Sequence, residues 1–275
     1  MRVARRQEWD EIDIVMKSLK LDPHRGSIRY HDRAGSGPPL IFLHGLGCSS
    51  SGDYLSVAAD PALTGRRLIL IDLLGSGFSD HPRDFGYTIE DHTGTIIDLI
   101  RALDIGSFDV FGHSMGGAIA SSVAYTLADS VRYLVLGEPN LDPGGGAFSR
   151  MIAQMSEADY VRHGHADLIS KSLSDGNDLW AASLSLSSPH AVHREATSLV
   201  SGTDPSWRDQ LYALPAVRTI IFGGCSLPDP DVEVLSSNGI HIEIIPDAGH
   251  SMAWEKPQDL ALAIARALCL PRDVS

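Results

Sequence analysis

One stretch, FDVFGHSMGGAIA at residues 108–120, constrains the fold more than any other part of the chain. It begins as a short apolar strand, turns through G-x-S-x-G, and continues as a small-residue helix. Gly112 and Gly116 leave room for a turn so tight that the serine between them is strained and its Oγ stands clear of the sheet edge. A helix starting at Met115 aims its free first-turn amides at the same spot. The plain alternative is an ordinary glycine-rich strand-to-helix turn. The flanking strand and helix favour Ser114 as a nucleophile, with His113 as a packing residue.

The rest of the chain repeats this alternation of apolar runs and amphipathic helices, which argues for a mostly parallel sheet with helices on its faces. Pro39–Leu43, Arg67–Ile71, Phe108–Phe111, Val131–Leu136, Val217–Phe222 and His241–Ile245 read as strands, the first two buried on both faces, and Ser27–His31 as an edge strand. Helical spacing of apolar residues predicts helices over Thr88–Leu103, Met115–Leu127 and Pro257–Cys269. From Pro139 to Leu214 no aliphatic strand occurs. The run NLDPGGG opens the segment, and polar helical pieces follow. The expected organisation is a core in two parts, 1–138 and 215–275, with a helical cap inserted at 139–214. Trp180, Leu184, Leu186 and the group Met151, Ile152 and Met155 are expected on the underside of the cap, with some of them lining a pocket.

A length of 275 residues with 43% hydrophobic content suits one α/β domain with such an insertion. No apolar run approaches the roughly 20 residues of a membrane span. The basic start MRVARRQEWDEIDIV is not followed by a long apolar segment, so it reads as a frayed or helical arm and not as a targeting peptide. Cys48, Cys225 and Cys269 are too scattered for a disulfide framework, and a reducing cytoplasm is expected. The net charge of −13 argues against nucleic acid as a partner. His163, His165, His190 and His193 fall in the cap without a clear metal-ligand partner and are read as surface histidines, so no metal is expected.

Four blocks now carry a resemblance. LIFLHGLG at 40–47 resembles the oxyanion loop of the α/β-hydrolases, and IDLLGSGFSD at 71–80 resembles their D-x-x-G-x-G-x-S loop. GHSMGG resembles their nucleophile elbow, and DAGHSMAWEKPQDL at 247–260 their catalytic-histidine loop. The resemblance implies an α/β-hydrolase fold of about eight strands, with His250 as general base. It assigns the oxyanion donors to the amides of Leu46 and Met115, with His44 and Gly45 shaping the loop. Asp72 is expected to fix the DLLGSG loop, and Cys48 to be a structural thiol.

The acid is the anomaly. Many members of that family carry Asp in the turn after the strand equivalent to Thr219–Phe222, where this chain has GGCS and so Ser226. Asp229 or Asp231 are displaced candidates in the PDPD run. Glu138 is the favoured one. It lies directly behind strand Val131–Leu136, on the sheet edge shared with Ser114 and His250, and it resembles the placement in certain haloalkane dehalogenases and zearalenone-type lactonases. Asp142, or no acid at all, completes the alternatives.

The expected activity is cofactor-free hydrolysis of small hydrophobic carboxylic esters through an acyl-enzyme, with lactones as the alternative substrate class. Dehalogenation is disfavoured because it uses an aspartate where Ser114 stands, and proline iminopeptidase because its elbow differs. Carbon–carbon bond hydrolases and cofactor-free haloperoxidases usually keep the acid at the turn altered here. From another class, a hydrolase-like small-molecule receptor or signalling protein with vestigial catalysis remains the rival.

Overall fold

The computed structural model describes residues 14–21 and 25–272. Eight strands form one sheet in the order β1-β2-β4-β3-β5-β6-β7-β8. They are β1 (Ile14–Lys20), β2 (Ser27–Arg33), β3 (Ser36–Leu43), β4 (Arg66–Asp72), β5 (Phe108–His113), β6 (Val131–Gly137), β7 (Val217–Gly223) and β8 (His241–Ile245). β1 and β2 run antiparallel to their neighbours, and every other pairing is parallel. The central strands are buried on both faces. Leu40, Phe42, Leu68, Val110, Phe111, Leu134 and Ile221 have essentially no exposed surface, which is why they read as unbroken aliphatic runs.

Two expectations at the amino terminus change. The arm expected over the first residues falls mostly outside the described residues, but Ile14–Lys20 is a strand. β2 is therefore not the edge, because β1 pairs along its outer side from Ile14↔Arg33 to Lys20↔Ser27. Val15–Ser18 are all solvent-exposed and Leu19 is only partly buried, so little alternation betrays β1.

The helices Ile89–Ala102 and Met115–Thr126 cover one face of the sheet, and Pro257–Ala267 covers the other. Thr88 starts the first of these with a reciprocal capping box to Asp91. Between β6 and β7 the chain forms only helices, chiefly Ala147–Ala153, His165–Ser174, Asp178–Ser185, Pro189–Ser201 and Trp207–Ala213. Ile152, Tyr160, Leu168, Trp180, Leu184 and Val192 give this segment an apolar cluster of its own, shared with Cys48. Leu186 and Met151 instead face solvent.

The histidines of this segment have separate partners. His165 hydrogen-bonds the Tyr160 hydroxyl (3.1 Å), His193 donates to the carbonyl of Met155 (2.9 Å), and His190 meets Glu157 (2.7 Å). His165 and His193 are buried packing residues, not the surface residues expected.

Candidate active site

The elbow is built by steric necessity. A Cβ on Gly112 would stand 2.3 Å from the Gly116 carbonyl oxygen, and one on Gly116 would stand 2.3 Å from that of Leu43. Only glycine permits the helix to rise this close to β3 and β5. Ser114 adopts φ 54°, ψ −118°, outside the regions a side-chain-bearing residue prefers. Its amide donates to the Gly137 carbonyl (2.9 Å), and its carbonyl accepts from the amides of Gly117 (2.9 Å) and Asn140 (3.2 Å). The strained residue is thus fastened to β6 and to the first turn of its own helix.

Two more non-glycine residues with positive φ surround it, Glu138 (38°) and Asp247 (56°). Glu138 is the first residue past β6, and its amide donates to the Ile221 carbonyl of β7 (3.0 Å). That turn sends its side chain along the ends of the strands. Oε1 accepts the Gly223 amide (2.8 Å), and Oε2 accepts Nδ1–H of His250 (2.7 Å). Ser226, standing where the acid of many relatives would be, also hydrogen-bonds this carboxylate. Burial alone would raise the pKa of Glu138, but the bonds from His250, Ser226 and the Gly223 amide outweigh it and hold the group below its ordinary value.

The other carboxylates are engaged elsewhere. Asp231 pairs with Arg208 (2.8 Å), which also grips Asp142 (2.6 Å). Asp229 accepts the amide of Asp231 (2.8 Å). Asp72 is buried and fixes its loop, accepting from the Ser51 amide (2.9 Å), the Ser51 hydroxyl (2.8 Å) and the Phe78 amide (3.0 Å).

His250 follows β8 through the turn at Asp247. Glu255 holds that turn through the Gly249 amide. With Nδ1 donating to Glu138, Nε2 is left as the acceptor. His113 lies beneath, its ring 4.6 Å from that of His250, and its Nε2–H donates to the His250 carbonyl (2.8 Å). Burial, reinforced by the nearby His250, pushes His113 down to about 3, so it stays neutral and acts as a strut.

On the opposite side, His44 is fully buried. Nδ1–H donates to the Gly45 carbonyl (2.9 Å), and Nε2 accepts the Leu73 amide (3.0 Å), which locks the loop that carries Leu46. The Trp180 indole donates to the Leu46 carbonyl (3.0 Å), a clamp from the helical segment that sequence reasoning missed. Met115 is the first residue of its helix, so its amide is among those without an intrahelical partner.

Ser114, His250, Glu138, Gly45 and Leu46 all border one cavity of about 390 Å³. Trp180, Phe148, Leu199 and Trp254 supply its apolar wall, and Asp53 and Asn177 supply polar points. Asp53 and Trp254 were not singled out from the sequence. The only trace of Asp53 there is one acid closing a run of small residues after His44. Asp229, Asp231, Glu138 and His250 border a second, smaller pocket of about 180 Å³.

A family model described as alpha/beta hydrolase fold matches residues 38–157. Haloalkane dehalogenase 2 of Mycobacterium tuberculosis is 35% identical over 142 residues, covering 50% of this chain and 48% of that protein. The match therefore spans about half the length of this curated relative. Among solved structures, a thermophilic esterase from Thermogutta terrifontis superposes with a TM-score of 0.73 at 20% identity, covering 92% of this chain and 98% of that one. The N-acyl homoserine lactonase AidH, as a mutant complexed with N-hexanoyl homoserine, superposes at 0.72 and 19% identity, covering 92% and 96%. The chain has the α/β-hydrolase fold, and the model of that family matches its residues 38–157.

Proposed function

We propose that this protein is a serine hydrolase that cleaves carboxylic esters of small, largely hydrophobic molecules through an acyl-enzyme. The observation that carries the reading is the 2.7 Å contact between Glu138 and Nδ1 of His250, on the rim of the cavity that Ser114 also borders. Ser114 Oγ attacks the carbonyl carbon while Nε2 of His250 takes its proton. The amides of Leu46 and Met115 hold the oxyanion, each such donor being worth on the order of 10² to 10³ in rate. Collapse breaks the bond to the alcohol oxygen, which leaves with the proton from His250. Water, deprotonated by His250, then attacks the acyl-enzyme. The acid departs as Ser114 regains its proton. Glu138 holds the imidazole in the tautomer this cycle needs and stabilises its charged form.

Residues 139–214 act in this reading as a cap whose Trp180 and Phe148 shield the acyl-enzyme and exclude bulk water. The lactonase AidH among the structural neighbours keeps lactones as the second substrate class. The dehalogenase relative does not transfer its reaction, because a serine stands at the elbow where that chemistry uses a carboxylate nucleophile.

The test is steady-state turnover of a graded panel of alkyl and aryl esters and lactones. Multiple turnovers that disappear in Ser114→Ala support the hydrolase. A single slow turnover with tight retention of product favours a receptor, and no turnover across the panel overturns the proposal.

A further inference from the structure

Asp53 closes the short helical turn Ser50–Asp53 behind the HGLG loop and borders the cavity, with only 5% of its surface exposed. Its surroundings suit a carboxyl group poorly. The Trp254 indole N–H reaches Oδ1 at a long 3.2 Å, the Cys48 thiol supplies a weak second bond, and the Ser49 backbone supplies a third, lesser one. Among the described residues that line the cavity there is no lysine or arginine to balance it. Burial raises its pKa from 3.8 to about 7, against the smaller effect of those three bonds. Burying a carboxyl with such thin compensation is costly, and an apolar side chain of similar size would fill the wall without that cost. Asp53 lines the same cavity as Ser114 and His250, together with Trp254 and Trp180.

We propose that Asp53 is a substrate-recognition residue of this cavity, accepting a hydrogen bond from a hydroxyl or amide N–H carried by the molecule whose carbonyl meets Ser114. The proposal rests on the hydrolase reading only in taking this cavity as the substrate site. A substrate with such a donor gives the buried carboxyl a further partner to add to its weak ones. One without it dehydrates the carboxyl further and offers nothing in return, which is how a buried polar group discriminates. Anionic substrates are disfavoured by Glu138 on the same cavity, and by Asp53 once it is ionised. The preferred class is therefore a neutral, medium-sized hydroxy- or acylamino-substituted ester or lactone.

The experiment compares pentyl butanoate with the ester in which the terminal methyl of the alcohol chain is replaced by hydroxyl. A second pair compares pentyl isovalerate with its counterpart in which one branch methyl of the acyl chain is replaced by hydroxyl. Binding is measured calorimetrically on Ser114→Ala, and kcat/KM on the chain with Ser114 intact, each with and without Asp53→Asn. In at least one pair the hydroxyl ester should bind on the order of ten-fold more tightly than its methyl isostere. Asp53→Asn should bring that ratio close to one. Calorimetry needs no turnover, so a failed hydrolase reading leaves the binding preference to be read. Equal binding within both pairs, or no binding of any of the four esters, overturns the proposal and does so whether or not the variant folds. A preference that survives Asp53→Asn, or a variant that weakens both members of a pair equally, assigns Asp53 to tying the Trp254 loop in place and also overturns it.

Discussion

Glu138 is held at three points: the Gly223 amide, Ser226 and the His250 imidazole. Glu138→Gln keeps the shape but removes the charge that stabilises an imidazolium. We expect kcat to fall by up to about 10⁴ with KM little changed, whereas Asp229→Asn and Asp231→Asn should stay within a few-fold. Near-full activity in Glu138→Gln, with collapse in an aspartate variant, would assign the acid elsewhere. Ser226→Ala removes one of the bonds that hold Glu138 below its ordinary pKa. The acid limb of the kcat–pH profile should then begin at a higher pH than in the unchanged protein, and an unmoved limb would refute the link. Ser114 and His250 were legible as residues because their neighbours in the chain define their turns. Glu138 was legible only as the favoured one among several carboxylates. Its partners lie 85 and 112 positions away, at Gly223 and His250, and no local pattern encodes such contacts.

At the scale of elements, the helices between β6 and β7 are joined to the core by polar contacts as well as apolar ones. His92 of helix Ile89–Ala102 and Glu195 of helix Pro189–Ser201 meet at 2.9 Å with no exposed surface on either side chain. Arg194 beside it donates to the carbonyls of Arg83 (3.1 Å) and Phe85 (2.7 Å). Removing one member of a buried pair strands the other, at a cost of about 3–5 kcal/mol, while replacing both by apolar residues is often nearly neutral. Glu195→Leu should therefore lower the melting temperature by several degrees, and His92→Leu with Glu195→Leu should recover most of it. A double variant no more stable than the single would refute the account. Trp180→Phe keeps the apolar wall and deletes the hydrogen bond to Leu46. It should lower kcat several-fold through a less well aimed oxyanion amide, while an unchanged kcat would show that the loop is held by His44 alone. The sequence announced this helical segment by its lack of aliphatic strands, but neither anchor had a local signal. β1 was missed for the opposite reason: with Val15–Ser18 all exposed, it has no hydrophobic period to read.

Across the whole molecule, pH acts on stability in two opposed ways near the cavity. Glu138 has a folded pKa below its unfolded value, so its contribution is present above about 4.5 and is lost as pH falls through the folded value. Asp53 is the reverse. Its pKa is raised from 3.8 to about 7, so the native state holds a proton that the unfolded chain releases, and stability declines as pH rises across that window. The melting temperature of the unchanged protein should therefore fall relative to Asp53→Asn between those two pH values and run parallel to it above them. Parallel curves throughout would show that Asp53 is not buried as a neutral acid.

The amino-acid sequence alone determined the strand-and-helix alternation, seven of the eight strands and the elbow, because each is written in short-range hydrophobic periods and in glycines that sterics demand. Which carboxylate meets His250, and which acid borders the cavity, were decided by tertiary structure. β6 lies beside β7, and the left-handed turn at Glu138 sends its carboxylate across to Gly223 and His250. Asp53 and Trp254, 201 residues apart in the chain, meet on one wall. Contacts of that range are set by the stacking of whole elements, which no local pattern of residues records.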